Sequence, residues 1–131
     1  MKYMLMMHTP AGTGEYQHGE WKPEDWTAHL AYWDRLNKDL AEAGEFVHVR
    51  ALTPPAQARL VRAGRRGTPM TDGPFPETKE FLAGFWVVEV DSPERAYAIA
   101  ARASAAPGPG GAPLNMPIEV RQVMSGPPQD A

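Results

Sequence analysis

A histidine on the first amphipathic segment is the leading candidate for proton-transfer chemistry. At about 100° per residue, His29 falls in the same arc as Trp26, Leu30, Trp33, Leu36 and Leu40, so its imidazole is predicted to face the protein interior. Burial among apolar side chains favours the neutral imidazole, which near neutral pH can take a proton from carbon or water as a general base. The alternative is a core histidine hydrogen-bonded to a backbone carbonyl, with no chemical role.

Three charged residues around a stiff loop form a second group of candidates. Asp72 stands directly before Gly73 and Pro74, where its carboxylate can accept hydrogen bonds from the loop's own amides or act as a catalytic acid. Glu77 and Lys79 follow, and they either contact a polar substrate or form a solvated pair at the rim of a site. The prolines restrict φ, which predicts a fixed loop in either case.

Two further histidines and an arginine lie on predicted strands. His8 ends the first strand, while His48 and Arg50 share one face of the second. On neighbouring strands these side chains would form a small-anion pocket, or a metal site with one more ligand. The histidines show no HxH, HxxxH or HExxH spacing, so we expect no metal. Trp21, in a loop, is free to stack on a planar ligand.

Composition bounds the fold class and the partners. The chain has 131 residues, which predicts one domain over residues 1–124 and a disordered tail over residues 125–131. A net charge of -3 and 43% hydrophobic residues fit neither a basic nucleic-acid binder nor a disordered acidic chain. The absence of cysteine excludes disulfides and thiolate chemistry. The sequence has no apolar run long enough to cross a membrane, which predicts a cytoplasmic protein. It also has no phosphate-loop or dinucleotide-binding motif, and we expect no cofactor.

Two helices are predicted from local signals. Pro23 suits a first helical position, Asp25 suits the positive end of the helix dipole, and Gly44 ends the segment after residue 43. Ser92 followed by Pro93 predicts an N-cap and a second, alanine-rich helix that continues to residue 103.

Four strands and a hairpin complete the predicted sheet. The strands cover residues 2–8, 46–50, 84–90 and 118–123, and the hairpin joins residues 57–61 to 68–71 through a tip at 64–67. In the second strand, Val47 and Val49 are expected on one face, opposite Phe46. The order of elements is the ferredoxin-like split βαβ pattern of an α+β protein. Two helices cover one sheet face, yet the first and last strands are apolar on both, which predicts a sheet-to-sheet homodimer.

Five short motifs are spread over nearly the whole chain. They are Met1-Lys2-Tyr3-Met4-Leu5, Ala43-Gly44-Glu45, Leu52-Thr53-Pro54-Pro55, the run Thr71-Asp72-Gly73-Pro74-Phe75-Pro76-Glu77-Thr78-Lys79-Glu80 followed by Gly84-Phe85-Trp86, and Ile118-Glu119-Val120-Arg121. Together they resemble the pattern of the DGPF group within the YCII-related family. This resemblance implies the dimeric α+β barrel fold, and hence a homodimer with a cleft between sheets and helices.

The resemblance also implies a site. His29-Leu30 resembles the helical histidine, followed by leucine, that is proposed to act with an aspartate in the more compact relatives. The candidate for the carboxylate beside it is Asp72, if the signature loop, as we name residues 72–79, folds over the same end of the sheet. The side chains expected to bind a small-molecule ligand are His8, His48, Arg50, Trp21, Glu77 and Lys79. The first three would lie on the sheet face that His29 meets.

Two functions follow from the resemblance. Related folds include muconolactone isomerase and a chloromuconolactone dehalogenase, so the first is cofactor-independent proton transfer of the lyase, isomerase or dehalogenase type on a small polar substrate. The second is a non-catalytic ligand-binding or regulatory module associated with an extracytoplasmic-function sigma factor, because many DGPF members are encoded beside such factors.

Overall fold

The computed structural model describes residues 1–10, 21–72 and 80–126. Its elements are β1 (Lys2–Pro10), α1 (Pro23–Glu42), β2 (Phe46–Ala51), β3 (Leu60–Arg62), β4 (Met70–Asp72), β5 (Glu80–Glu89), α2 (Pro93–Ser104) and β6 (Ile118–Gln122). The strands β2, β5, β1 and β6 form one antiparallel sheet in that order, and β3 pairs with β4 in a separate two-stranded sheet. This confirms the predicted α+β fold of ferredoxin-like topology with an inserted hairpin. Residues 127–131 of the predicted tail lie outside the described residues.

Local capping explains where the helices begin and end. In α1 the Asp25 carboxylate accepts a hydrogen bond from the Lys22 amide at 2.9 Å, and Gly44 ends the helix with a φ of 74°. In α2 the Ser92 hydroxyl oxygen accepts from the Arg95 amide at 3.2 Å, directly before Pro93. Both spans agree with the predicted helices. Neither described helix has the length and apolar character needed to cross a membrane.

The core lies between the helices and one face of the four-stranded sheet. Leu36 and Leu40 of α1 and Ile99 of α2 pack against Leu5 and Trp86 from the two central strands. The side chains that alternate with these along β1 and β5, including Met4, Met6, Phe85 and Val87, face the other side of the sheet. The described helices therefore cover a single face, as the sequence predicted.

One expectation for β2 is wrong because the strand contains a β-bulge. The register to β5 shifts between Phe46 and His48, so the alternation of faces is interrupted at Val47. Phe46 and Val49 both pack against the core, while Val47 is exposed. An irregularity of this kind depends on the partner strand, which the alternation within β2 alone does not report.

Two strand boundaries also differ from those expected. The first strand of the hairpin is short, since residues Pro55–Gln57 form a 3-10 turn and only Leu60–Arg62 pair with β4. The long central strand β5 begins at Glu80 rather than at Gly84. The hairpin tip itself lies where predicted, between Gly64 and Gly67, which both have positive φ.

Glu45 and Arg95 join the end of α1 to the start of α2 by two hydrogen bonds of 2.8 Å. Hydrogen bonding to the guanidinium holds the pKa of Glu45 below its ordinary value of 4.5. A carboxylate whose pKa is lowered by folding stabilises the native state above its unfolded pKa, and this contribution is lost as the pH falls through the folded pKa.

We therefore expect Glu45→Gln to reduce the free energy of unfolding by at most about 1 kcal/mol at neutral pH, because Arg95 is half exposed. The difference from the unmodified protein should shrink as the pH falls below about 4.5. Urea denaturation over a pH series measures it. The matched control is Glu42→Gln, since Glu42 is exposed and forms no ion pair within the described residues. If Glu45→Gln and Glu42→Gln lower the free energy of unfolding equally at every pH, the pairing of Glu45 with Arg95 is contradicted.

Candidate functional site

The imidazole of His29 is held by a backbone carbonyl. His29 lies on the inner side of α1 and is 6% exposed, and its Nδ1 is 2.9 Å from the oxygen of Pro107. A carbonyl oxygen only accepts hydrogen bonds, so Nδ1 carries the hydrogen. In the neutral ring the lone pair is then on Nε2. This bond fixes the tautomer and the orientation of the ring, as a general base requires. A buried ring bonded to a backbone carbonyl is also the arrangement expected for a core histidine without a chemical role.

Three tryptophans surround the His29 ring. The ring centroid lies 4.3 Å from that of Trp33, 5.2 Å from Trp21 and 6.0 Å from Trp26. Trp21 and Trp26 stack on each other at 4.1 Å. Trp33 meets the core residue Trp86 edge to face at 5.4 Å. The imidazole therefore lies in an aromatic cluster that runs from the exposed Trp26 to the core.

Asp25 makes a second tie to the same loop. It is 8% exposed, four residues before His29, and its Oδ1 accepts a hydrogen bond from the Gly110 amide at 3.1 Å. Its Oδ2 accepts from the Lys22 amide. The spacing places Asp25 and His29 on one side of α1, and together they hold the segment 107–110. Sequence reasoning treated Asp25 only as a helix-start residue, although its spacing to His29 was visible.

The aromatic cluster contains polar atoms that are not used within the described part of the chain. The indole nitrogens of Trp21 and Trp33 are buried and have no hydrogen-bond partner there. Among the same residues, His29 forms a hydrogen bond through Nδ1 only. Buried donors without partners are uncommon in native proteins. Two donors and one acceptor are therefore present in the cluster for a polar molecule.

His8 belongs to a different part of the molecule. Its Nε2 lies 3.0 Å from Glu119 on the edge strand β6. Since a carboxylate accepts, the neutral ring donates from Nε2. His8 and Glu119 line a cavity of about 190 Å³ together with Glu80, Pro117 and Ile118. The expected anion pocket is not supported here, because two carboxylates line this cavity.

The strand register separates His8 from His48 and Arg50. On β5, His8 pairs opposite Leu82, whereas His48 pairs opposite Val87 and Arg50 opposite Phe85, which is roughly 17 Å and 10 Å along the strand. β1 and β2 also flank β5 on opposite sides. The expectation of one pocket containing these three side chains is therefore wrong. His48 instead packs edge to face on Phe85 at 5.7 Å, and Arg50 donates to the Val49 carbonyl.

The expectation that these side chains accompany His29 is wrong for a related reason. Val49 packs toward the helices, so its neighbours His48 and Arg50 lie on the opposite sheet face. His29 approaches the sheet from the helix side, where Trp33 connects it to Trp86. Alternation along a strand groups residues by face but does not indicate which face a helix covers.

Most of the signature loop lies outside the described residues. The backbone of Asp72 ends β4 opposite Leu60, while its side chain lies outside the described part of the structure. Glu77 and Lys79 also lie outside it. A role for these three residues stays a prediction. Among the described residues, no three histidine, aspartate or glutamate side chains are grouped so that they could hold a metal ion.

Comparison with known proteins gives a family match. The family model described as "YCII-related domain" matches residues 1–111, which include both His29 and Pro107. The "Uncharacterized protein R00369" of Rhizobium meliloti (strain 1021) is 32% identical over 76 residues. That match covers 58% of this chain and 61% of the relative. The chain thus spans about three fifths of the length of this relative.

Proposed function

We propose, because this chain belongs to the YCII-related family, that it binds a small polar molecule beside His29 and uses Nε2 of that residue as a general base. The observation that carries this proposal is the bond from Nδ1 to Pro107, which directs the free lone pair of the neutral ring to Nε2. The surrounding indoles exclude water and provide flat surfaces for a planar ligand.

The proposed step is proton transfer at a carbon next to a carbonyl group. Nε2 takes the proton, the electron pair of the C–H bond passes into an enolate, and His29 becomes an imidazolium. Return of the proton to another atom of the substrate completes an isomerisation. In an elimination the enolate expels a leaving group with its electron pair, and the imidazolium gives its proton to that group or to solvent. The Pro107 carbonyl and the Trp33 ring both stabilise the transient positive charge.

The position of Pro107 changes the role proposed for Asp72. A carboxylate that oriented His29 would bind Nδ1, as in a catalytic triad. In this protein a carbonyl occupies Nδ1. We therefore propose that Asp72, together with Glu77 and Lys79, acts on the ligand rather than on the histidine. Trp21 is proposed as a stacking surface for that ligand.

A non-catalytic binding module is the second candidate. The observation that favours it is that Asp25 and His29 both bind the backbone of the segment 107–110, so a structural reason for His29 exists without turnover. Such a module would bind the same small molecule and pass the signal on, for example to a sigma-factor system.

Exchange of carbon-bound hydrogen in deuterium oxide separates the two functions. We expect the protein to accelerate exchange in at least one member of a panel of α-keto acids and unsaturated lactones, followed by proton NMR. His29→Asn should lower that rate by about 10²–10⁴-fold, the usual contribution of a general base. His48→Asn, on the opposite sheet face, is the matched control and should not change it. Ligand-induced shifts without exchange would favour the binding module.

We also propose that the protein is a homodimer. The sheet face that carries Met4, Met6, Phe85 and Val87 has no covering helix among the described residues. Met4, Met6 and Phe85 are partly exposed in the single chain, and Val87 between them is buried. Together they form an apolar surface that suits contact with a second copy.

A further inference from the structure

We propose that the hairpin of β3 and β4 is an arm that docks on the rest of a second copy of this chain, which has a negative net charge. The basic arm, as we name residues 59–72, carries Arg59, Arg62, Arg65 and Arg66. This inference rests on the proposed homodimer and assigns to the hairpin a role in it.

The first observation is that the basic arm has little support from the parts of its own chain that the structure describes. Among those residues, β3 and β4 pair through three residues each and are not hydrogen-bonded to the four-stranded sheet. Leu60 and Val61 are 43% and 57% exposed, so apolar side chains of the strand remain in solvent. An isolated two-stranded hairpin is marginally stable in water. A partner that covers Leu60 and Val61 would supply the missing burial.

The second observation is the distribution of charge. The basic arm contains four arginines and one acidic residue, Asp72, although the whole chain has a net charge of -3. The rest of the chain therefore carries 9 basic and 15 acidic side chains, a net charge of -6. Within the described residues none of the four arginines forms an ion pair, and Arg59 donates only to backbone carbonyls. Opposite charges on the arm and the body favour contact between two copies.

The geometry of the tip exposes the charge. Gly64 and Gly67 adopt positive φ values of 71° and 74°, which lets the chain reverse tightly around Arg65 and Arg66. Both arginines are exposed at the end of the hairpin. In a two-fold dimer the arm of each copy would contact the rest of the other copy, so the dimer would contain two identical arm contacts.

The mixture of side chains favours a protein partner over a nucleic acid. Contacts to nucleic acid are made mainly to phosphates by arginine and lysine. Exposed Leu60 and Val61 between the arginines would gain nothing from a phosphate backbone. Against an acidic protein surface, the aliphatic residues fill the centre of the contact and the arginines its rim.

The test compares two double variants of equal charge by sedimentation equilibrium. We expect Arg65→Glu with Arg66→Glu to raise the dimer dissociation constant at least about tenfold. The control, Arg35→Glu with Lys38→Glu, makes the same charge change on the exposed side of α1, where it makes the body more acidic, and it should therefore not weaken the dimer. Leu60→Thr with Val61→Thr removes the apolar part and keeps the strand preference, and it should also weaken the dimer. Circular dichroism checks that all variants are folded.

Each result decides a different statement. If the unmodified protein is a monomer at every concentration, the proposed homodimer fails and arm docking fails with it. If it is a dimer and both arm variants associate as tightly as the control, the homodimer stands and arm docking is wrong. Arm docking is also wrong if the arginine variant loses binding to a short DNA duplex in fluorescence anisotropy while its dimer is unchanged. Weakening of the unmodified dimer by added salt supports the proposal, because screening shortens the range of the attraction.

Discussion

We expect Trp86→Ala to lower the free energy of unfolding by about 4 kcal/mol. Trp86 is 1% exposed and is the largest fully buried side chain among the described residues. Its removal deletes a large apolar contact, leaves a cavity under α1, and takes away the indole donor that binds Asn37 at 2.8 Å. A domain of this size has about 5–15 kcal/mol of stability in total, so the variant should lose at least about a quarter of its stability.

Chemical denaturation followed by circular dichroism measures this loss. Trp26→Ala is the matched control, because it removes the same side chain from a position that is 43% exposed. Its cost should stay below about 1 kcal/mol. Similar costs for the two variants would show that the core is not centred on Trp86.

The second large effect is expected at Gly84, where β5 passes close to its neighbour β2. A Cβ atom at this position would lie 2.8 Å from the Arg50 carbonyl oxygen and 3.3 Å from the end of the Met7 side chain. Met7 can move, but the carbonyl belongs to the backbone of the sheet. Gly84→Ala should therefore cost about 2–3 kcal/mol through displacement of β2.

The same denaturation experiment tests Gly84→Ala. Gly126→Ala is the control, since a Cβ atom there meets nothing within 4 Å and the backbone has no positive φ. The control should be neutral within about 0.5 kcal/mol. A neutral Gly84→Ala would mean that the two strands separate at this point without cost.

Features that depend on neighbours in the sequence were predictable. The limits of α1 follow from Pro23 and Gly44, and the start of α2 follows from Ser92 and Pro93. In each case the cause lies within a few residues of the effect. The order of strands and helices then limits the topology to a small number of choices, of which the ferredoxin-like one is observed.

Features that depend on distant pairing were not predictable. The bulge at Val47 arises from the register with β5, and the bond between His29 and Pro107 joins residues 78 positions apart. Helical periodicity correctly placed His29 toward the interior, although Trp26 and Leu30 of the same predicted arc are 43% and 56% exposed. It carried no information on the loop that would meet the ring, so it could not decide between a carboxylate and the backbone carbonyl that is observed.

The position of β1 in the sheet has a consequence for how the chain folds as it is synthesised. Tyr3 pairs with Val88 on one side and with Gln122 on the other. β1 thus has its first partner strand only after Val88 has been synthesised, and both partner strands only after Gln122. Long-range pairing of this kind slows folding and leaves apolar strands exposed in the meantime. We expect the domain to fold in one cooperative step once β6 is available, with the methionine-rich β1 as the segment most in need of chaperone protection until then.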